Sequence, residues 1–298
     1  MKIAYFPGCT LKSTARNFEQ SAMECARTLG VEMVELARWN CCGVVSPLAT
    51  DDLFHHLAPI RNLIRVQEAR ERGEVQDGSR VVTLCSMCYN VLKRSNLLAK
   101  ENPASLKTIN DFMYTEKDYD GGVEVVHLLQ VLRDIGFDKI KEQVRKPLEG
   151  LKVVAYYGCM LLRPREVGID DPENATIQEE LLEALGAETV RSRYRMRCCG
   201  SYQTVRDKGI VAQTAYEILG RFQKEGAEVV VTSCPLCAFN LDGRQEEVLE
   251  RYSEFKQIPV LYFTQLMALA LGLGEECCGF DLNFVDPRPL LREKNLLD

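Results

Sequence analysis

Ten of the thirteen cysteines fall into two copies of one pattern. The first copy is Cys9, then Cys41-Cys42-Gly43, then Cys85-Ser86-Met87-Cys88. The second is Cys159, then Cys198-Cys199-Gly200, then Cys234-Pro235-Leu236-Cys237. The spacers are 31 and 42 residues in the first copy and 38 and 34 in the second. Thiolates are soft ligands that suit zinc, copper(I) and iron–sulfur clusters. Zinc takes four ligands, usually from two well-separated pairs. Each copy here supplies five, two of them sequence neighbours. Adjacent cysteines reach one metal ion only with strain, but two irons of a cluster with ease. A cubane needs four thiolates. Five therefore point to an unusual iron–sulfur cluster, or to a cubane with one cysteine to spare. Burial as small hydrophobes explains scattered single cysteines, but not these repeated pairs.

The elements that must position these thiols are read from hydrophobic periodicity. Residues 2–6, 31–36, 80–84, 151–157 and 228–232 are short β-branched or apolar runs bounded by turn residues, which predicts strands. Phe18, Ala22, Cys25, Ala26 and Leu29 form a helical stripe. So do Leu53, Leu57, Ile60 and Ile64, and again Val211, Ala215, Ile218, Leu219 and Phe222. Strands alternating with helices imply βαβ units with a parallel sheet. The expected fold is α/β: two pseudo-symmetric βαβ-type domains, each holding one iron–sulfur cluster. The boundaries read as 1–146 for the first domain, 147–275 for the second and 276–298 for a tail. Every cysteine motif falls just after a strand, where open α/β sheets place their ligands. Gly43 and Gly200 should let backbone amides approach sulfur. Ser233 is expected near a helix cap with Pro235 in the first turn, and Ser86 at the equivalent start. Residues 67–80 are charged and read as a surface extension or partner contact.

Composition excludes several classes. A net charge of −6 with 46% hydrophobic residues describes a globular protein without a nucleic-acid-binding charge balance. The first residues lack the apolar core and cleavage site of a signal peptide, and no apolar run is long enough for a membrane span. The expectation is a cytoplasmic protein whose thiols stay reduced.

The duplicated pattern resembles the CCG domain, and the whole chain is similar to the B-subunit family of heterodisulfide reductase. Tyr157-Gly158-Cys159-Met160-Leu161-Leu162-Arg163-Pro164, Asp170-Asp171-Pro172-Glu173-Asn174 and Val285-Asp286-Pro287-Arg288-Pro289 carry the likeness beyond the cysteines. The resemblance implies two non-cubane [4Fe-4S] clusters, with the mixed disulfide of coenzyme M and coenzyme B reduced to two thiols between them. It implies Cys9, Cys41, Cys42, Cys85 and Cys88 as ligands of one cluster. Cys159, Cys198, Cys199, Cys234 and Cys237 would hold the other. Related proteins fuse such domains to a ferredoxin module or a membrane anchor, and neither is evident here. Electrons would then come from partners in the same complex: a flavoprotein and a small ferredoxin-like iron–sulfur subunit. A hydrogenase or formate dehydrogenase could lie beyond them. The acidic stretch 68–74 and the tail are the expected contacts. The alternatives are a related CCG-domain oxidoreductase subunit that works on another disulfide or organic acid, and a non-catalytic electron relay.

The remaining chemistry is sparser. Coenzyme M carries a sulfonate and coenzyme B a phosphate, both suited to arginine. Lys12, Arg163 and Arg165 follow the first cysteine of each copy and are candidate contacts. The run Arg191-Ser192-Arg193-Tyr194-Arg195-Met196-Arg197 would share one face if it were a strand; a solvated basic surface is the competing reading. His127 is a candidate proton donor to product thiolate, weighed against core packing. Cys25 lies on its helix's apolar stripe and reads as core. Cys277-Cys278-Gly279 copies the motif but lacks a following CxxC.

Overall fold

The computed structural model describes residues 1–44, 53–76 and 78–298. The first half runs β1 (Lys2–Tyr5), α1 (Arg16–Thr28), β2 (Glu32–Glu35), α2 (Leu57–Glu71), β3 (Arg80–Thr83), α3 (Ser86–Glu101), α4 (Pro103–Phe112), β4 (Glu124–His127), α5 (Leu128–Ile135) and α6 (Phe137–Lys141). The second runs β5 (Lys152–Tyr156), α7 (Ile177–Ala184), β6 (Glu188–Thr189), α8 (Lys208–Lys224), β7 (Val229–Thr232), α9 (Pro235–Leu241), α10 (Gln245–Arg251), β8 (Val260–Tyr262), α11 (Phe263–Ala270) and α12 (Arg288–Glu293).

Each half folds into a four-stranded parallel sheet, in the orders β2-β1-β3-β4 and β6-β5-β7-β8. Helices connect the parallel neighbours, as chain direction requires. Strands covered on both faces explain the runs Ile3-Ala4-Tyr5 and Val229-Val230-Val231, which are wholly buried. The registers correspond as well: Thr83 pairs with His127 in one sheet and Thr232 with Tyr262 in the other.

The halves interlock. Helix α1 packs against α11 of the second half, with Ser21 Oγ 2.7 Å from Thr264 Oγ1 and Phe18 stacked on Tyr262 at 4.2 Å between ring centroids. Cys25 is fully buried there, its thiol facing the Thr264 carbonyl at 3.6 Å. Periodicity missed β4, β6 and β8, which are two to four residues long, and it ran β2 one residue too far at each end. The stretch 67–80 is not a surface extension throughout. Helix α2 continues to Glu71, burying Gln67 and Ala69, and Val75 packs into the core. Its described acids are spent within the chain: Glu68 on Arg38 and Arg65, Glu71 on Lys117, Glu74 on Arg72.

Candidate iron–sulfur site

Both first cysteines sit on the turn that leaves the central strand. After β1 the chain passes Gly8 to Cys9, and after β5 it passes Gly158 to Cys159, with φ +72° and +65° at the glycines. A Cβ at Gly8 would come 2.9 Å from Cys88 Sγ, and one at Gly158 would come 3.3 Å from Cys237 Sγ. Only glycine leaves room for those sulfurs. The CxxC motifs open helices: Cys85 is the N-cap of α3 and Cys234 that of α9, with Pro235 in the first turn. The cap is the cysteine, not the serine beside it. Ser86 and Ser233 instead seam the halves, with Ser86 N–H 3.1 Å from the Ser233 carbonyl and their hydroxyls 2.8 Å apart.

The ten sulfurs form one continuous string across that seam. Cys9 Sγ lies 3.8 Å from Cys41 Sγ, and Cys42 Sγ lies 3.4 Å from Cys88 Sγ. Cys41 neighbours Cys42, Cys88 neighbours Cys85, and Cys85 neighbours Cys234 of the other half, each near enough to shift the other's thiol. The order then reverses through Cys237, Cys199 (3.5 Å), Cys198 and Cys159. It reads the same from either end, with the two halves joined at Cys85 and Cys234. Burial follows the same symmetry. Cys9 and Cys41 are exposed and Cys159 and Cys198 half-buried, while the other six are buried. Among the described residues, no three His, Cys, Asp or Glu side chains converge to hold a single metal ion.

Backbone amides support the sulfurs. The N–H groups of Gly200 and Ser201 donate to Cys198, whose thiol is pulled down first by the hydrogen bond from Cys159 and next by that from Cys199. Cys42 is lowered by Cys41 and Cys88, with the Val44 amide helping against burial. Cys41 is raised in turn by its bond to Cys42, then by burial. A metal that takes the sulfurs must displace the thiol protons. Asn240 Nδ2 adds a donor 3.5 Å from Cys199 Sγ. The hydroxyls of Thr83 and Ser201 are buried beside these motifs without a partner among the described residues. Ten thiols, convergent N–H donors and Cβ-free glycines fit an iron–sulfur cluster in each half.

The other expected residues lie in varied settings. Lys12 forms ion pairs with Glu19 at 2.7 Å and Glu35 at 2.6 Å. Arg163 and Arg165 are exposed, with the Arg163 guanidinium reaching the Met196 and Pro172 carbonyls at 3.4 and 3.3 Å. The basic run is not a strand: Arg193–Met196 is one 3-10 turn capped by Ser192. Arg195 turns inward to pair with buried Glu179, which also accepts from the Tyr157 hydroxyl. His127 is fully buried, donating from Nε2 to the Leu84 carbonyl at 2.7 Å and accepting the Leu129 N–H at Nδ1. Burial lowers it to about 4, so it is neutral at physiological pH with both nitrogens occupied. Cys278 is buried at the Gln265 carbonyl, and Cys277 beside it is raised to about 11 by burial. Asn240 was missed, because its place beside Cys199 depends on a contact across the fold that no local pattern announces.

Comparison with known proteins agrees with this architecture. The cysteine-rich domain model (CCG) matches residues 3–93 and again 153–242. The chain is 33% identical, over 97% of its length and 99% of the relative's, to the 8-methylmenaquinol:fumarate reductase membrane anchor subunit of Wolinella succinogenes. It is 30% identical, over 95% of its length and 94% of the relative's, to the B subunit of ferredoxin:CoB-CoM heterodisulfide reductase from Methanosarcina mazei. A hypothetical protein from Helicobacter pylori shares the fold with a TM-score of 0.74 at 12% identity, over 95% of this chain and 51% of that one. No helix among the described residues is long and apolar enough to cross a membrane. Two matched domains, one in each half, each with its five-cysteine set, make this chain a member of the CCG cysteine-rich-domain family.

Proposed function

We propose that this chain is the disulfide-cleaving iron–sulfur subunit of a heterodisulfide reductase, holding one non-cubane [4Fe-4S] cluster in each half. The observation that carries the reading is the palindromic string of ten sulfurs joined at Cys85 and Cys234. A pure relay has no need for two equivalent centres facing across a seam. Bound clusters would supply the two single electrons that a disulfide takes up. The five cysteines of each half would hold one cluster. The amides of Gly43, Gly200 and Ser201 and the Asn240 side chain would stabilise the negative charge on sulfur. The Ser86–Ser233 seam and the α1–α11 contact keep the two sets in register. Tyr202, raised to about 12 by burial and then by Cys159 and Cys198, keeps its hydroxyl proton at neutral pH. Electrons would arrive from a flavoprotein and a ferredoxin-like subunit.

The likeness to the fumarate reductase relative favours a second reading, in which the same centres serve a fumarate-reducing complex. Stoichiometric reoxidation separates the two. Anaerobic, dithionite-reduced protein freed of reductant should be reoxidised by the coenzyme M–coenzyme B disulfide, releasing both thiols, and not by fumarate. Release of no thiol while fumarate or a quinone reoxidises the protein would replace the first reading with the second.

A further inference from the structure

Helices α3 and α9 are counterparts, each opening at a CxxC motif, yet they present different residues to the opposite half. Tyr89, Asn90 and Arg94 stand where Ala238, Phe239 and Gly243 stand in the other copy. On the α3 side the contact is closed. Asn90 Nδ2 donates to the carbonyls of Met160 and Arg163 at 2.8 and 2.7 Å, and the Tyr89 hydroxyl to that of Val167 at 2.7 Å. These bonds press α3 onto the loop that carries Cys159.

Arg94 lies one helical turn beyond Asn90 on the same face. Its neighbour Ser95 holds His56 Nδ1 at 2.8 Å, and the Tyr202 hydroxyl reaches Met160 Sδ at 3.6 Å. The Arg94 charge is felt on both sides: His56 is lowered by burial and then by Arg94, while Tyr202 feels Arg94 together with Cys159, Cys198 and Cys199. The guanidinium thus starts one turn past the Asn90 contact with the Cys159 loop and next to the Ser95–His56 pair. It is half-buried, and among the described residues it makes no ion pair or hydrogen bond. At the matching position, just past α9, stands Gly243, and the adjacent Arg244 is paired with Glu247. Lys12, by contrast, is neutralised by two carboxylates. A partly desolvated guanidinium with no carboxylate partner among the described residues is suited to bind an oxyanion in a two-pronged geometry.

We propose that Arg94 is the anion anchor of this site, receiving the sulfonate, carboxylate or phosphate of an organic substrate whose reacting part lies at the second-half cysteine set. The assignment rests on the reading of those cysteines as the redox centre and gives that centre a substrate class and an orientation. The anion enters beside α3, and the reacting atom points to Cys159, Cys198 and Cys199. In the copy opposite, the cation beside Gly243 is Arg244, which lies over the Phe239 ring and is already paired with Glu247, so the two ends of a substrate are received differently.

The test uses anaerobically purified protein with its metal content checked. Ethanesulfonate, acetate and inorganic phosphate are the probes, and binding of each is measured by competition in ligand-observed NMR. Wild-type protein should bind at least one of them saturably, with affinity falling as salt rises. Arg94→Gln should weaken that binding by about tenfold or more, the loss of a charge-assisted pair. Arg94→Lys should recover part of it, and Lys107→Gln, on the far surface of α4, should change nothing. Arg94→Met, which keeps the packed stem, serves if Arg94→Gln loses iron. Equal binding by wild type and the neutral variants, or no saturable binding by wild type, would overturn the anchor. A separate arm adds 2-mercaptoethanesulfonate to oxidised protein and follows the visible and paramagnetic spectra. If the probes bind through Arg94 while the thiol leaves the spectra unchanged, the anchor stands and the thiol–disulfide reading falls.

Discussion

Cys25 and Cys42 are both buried cysteines of the first half, and nothing in residue type separates them. Their neighbours do. Cys42 touches Cys88 and receives a backbone amide, whereas Cys25 faces the Thr264 carbonyl inside the α1–α11 packing. Cys42→Ala and Cys199→Ala should each lose one cluster, seen as a halved visible absorbance. Cys25→Ala and Cys278→Ala should keep both clusters and lose stability, about 1 kcal/mol for a small buried group. Cluster loss in Cys278→Ala would bring the tail into the site. Burial also holds Cys277 at about 11, so it should resist alkylation at pH 7 in the folded protein. Asp242 makes a second titration argument. It is buried, raised to about 7 chiefly by desolvation, and accepts the amides of Phe284 and Val285 in the tail. The folded state therefore holds this proton more tightly than the unfolded state. The contribution is full below the unfolded carboxyl value near 4 and is lost as pH rises towards 7. On a scale of roughly 4 kcal/mol at most, melting temperature should fall between pH 5.5 and 8 more steeply in wild type than in Asp242→Asn. Parallel curves would show that Asp242 does not titrate there.

At the scale of elements, α3 and α9 show how one motif is set in two environments. Asn90 bonds two carbonyls of the Cys159 loop, while in the other half the corresponding loop caps its own carbonyls through Ser13, whose hydroxyl reaches Cys9 O at 3.0 Å and Thr10 O at 3.3 Å. Asn90→Ala should leave two carbonyls short of a donor and cost about 2 kcal/mol, with loosening confined to the second-half loop in hydrogen exchange. Equal loosening of residues 9–17 would contradict that division. Much of this level was legible beforehand. The strands carrying the motifs and the stripe of α1 follow from alternation and helical period, because their apolar faces are continuous in sequence. The 3-10 turn at Arg193–Met196 was not, since alternating arginines look like one face of a strand until Glu179 draws Arg195 inward. Residues 67–80 misled for the opposite reason: charge on the outer face of α2 hid the buried positions between.

At the scale of the molecule, duplication was the clearest signal, because the two copies share the order of their thiols where other residues and the spacers differ. The seam was invisible, for it consists of serine–serine and cysteine–cysteine contacts between residues 147 or more positions apart. Because the halves meet at the motifs themselves, metal loading and folding should be linked: removing metal with a chelator should lower the melting temperature of both halves together. Independent melting of the two halves would mean the seam is weak. The most direct measurement is of iron and acid-labile sulfide per chain in anaerobically purified wild type, Cys42→Ala and Cys199→Ala. Two equivalent sets predict about eight irons and eight sulfides in wild type and about four in each variant. Zinc in either half, or a single variant that empties both, would contradict two independent four-iron centres.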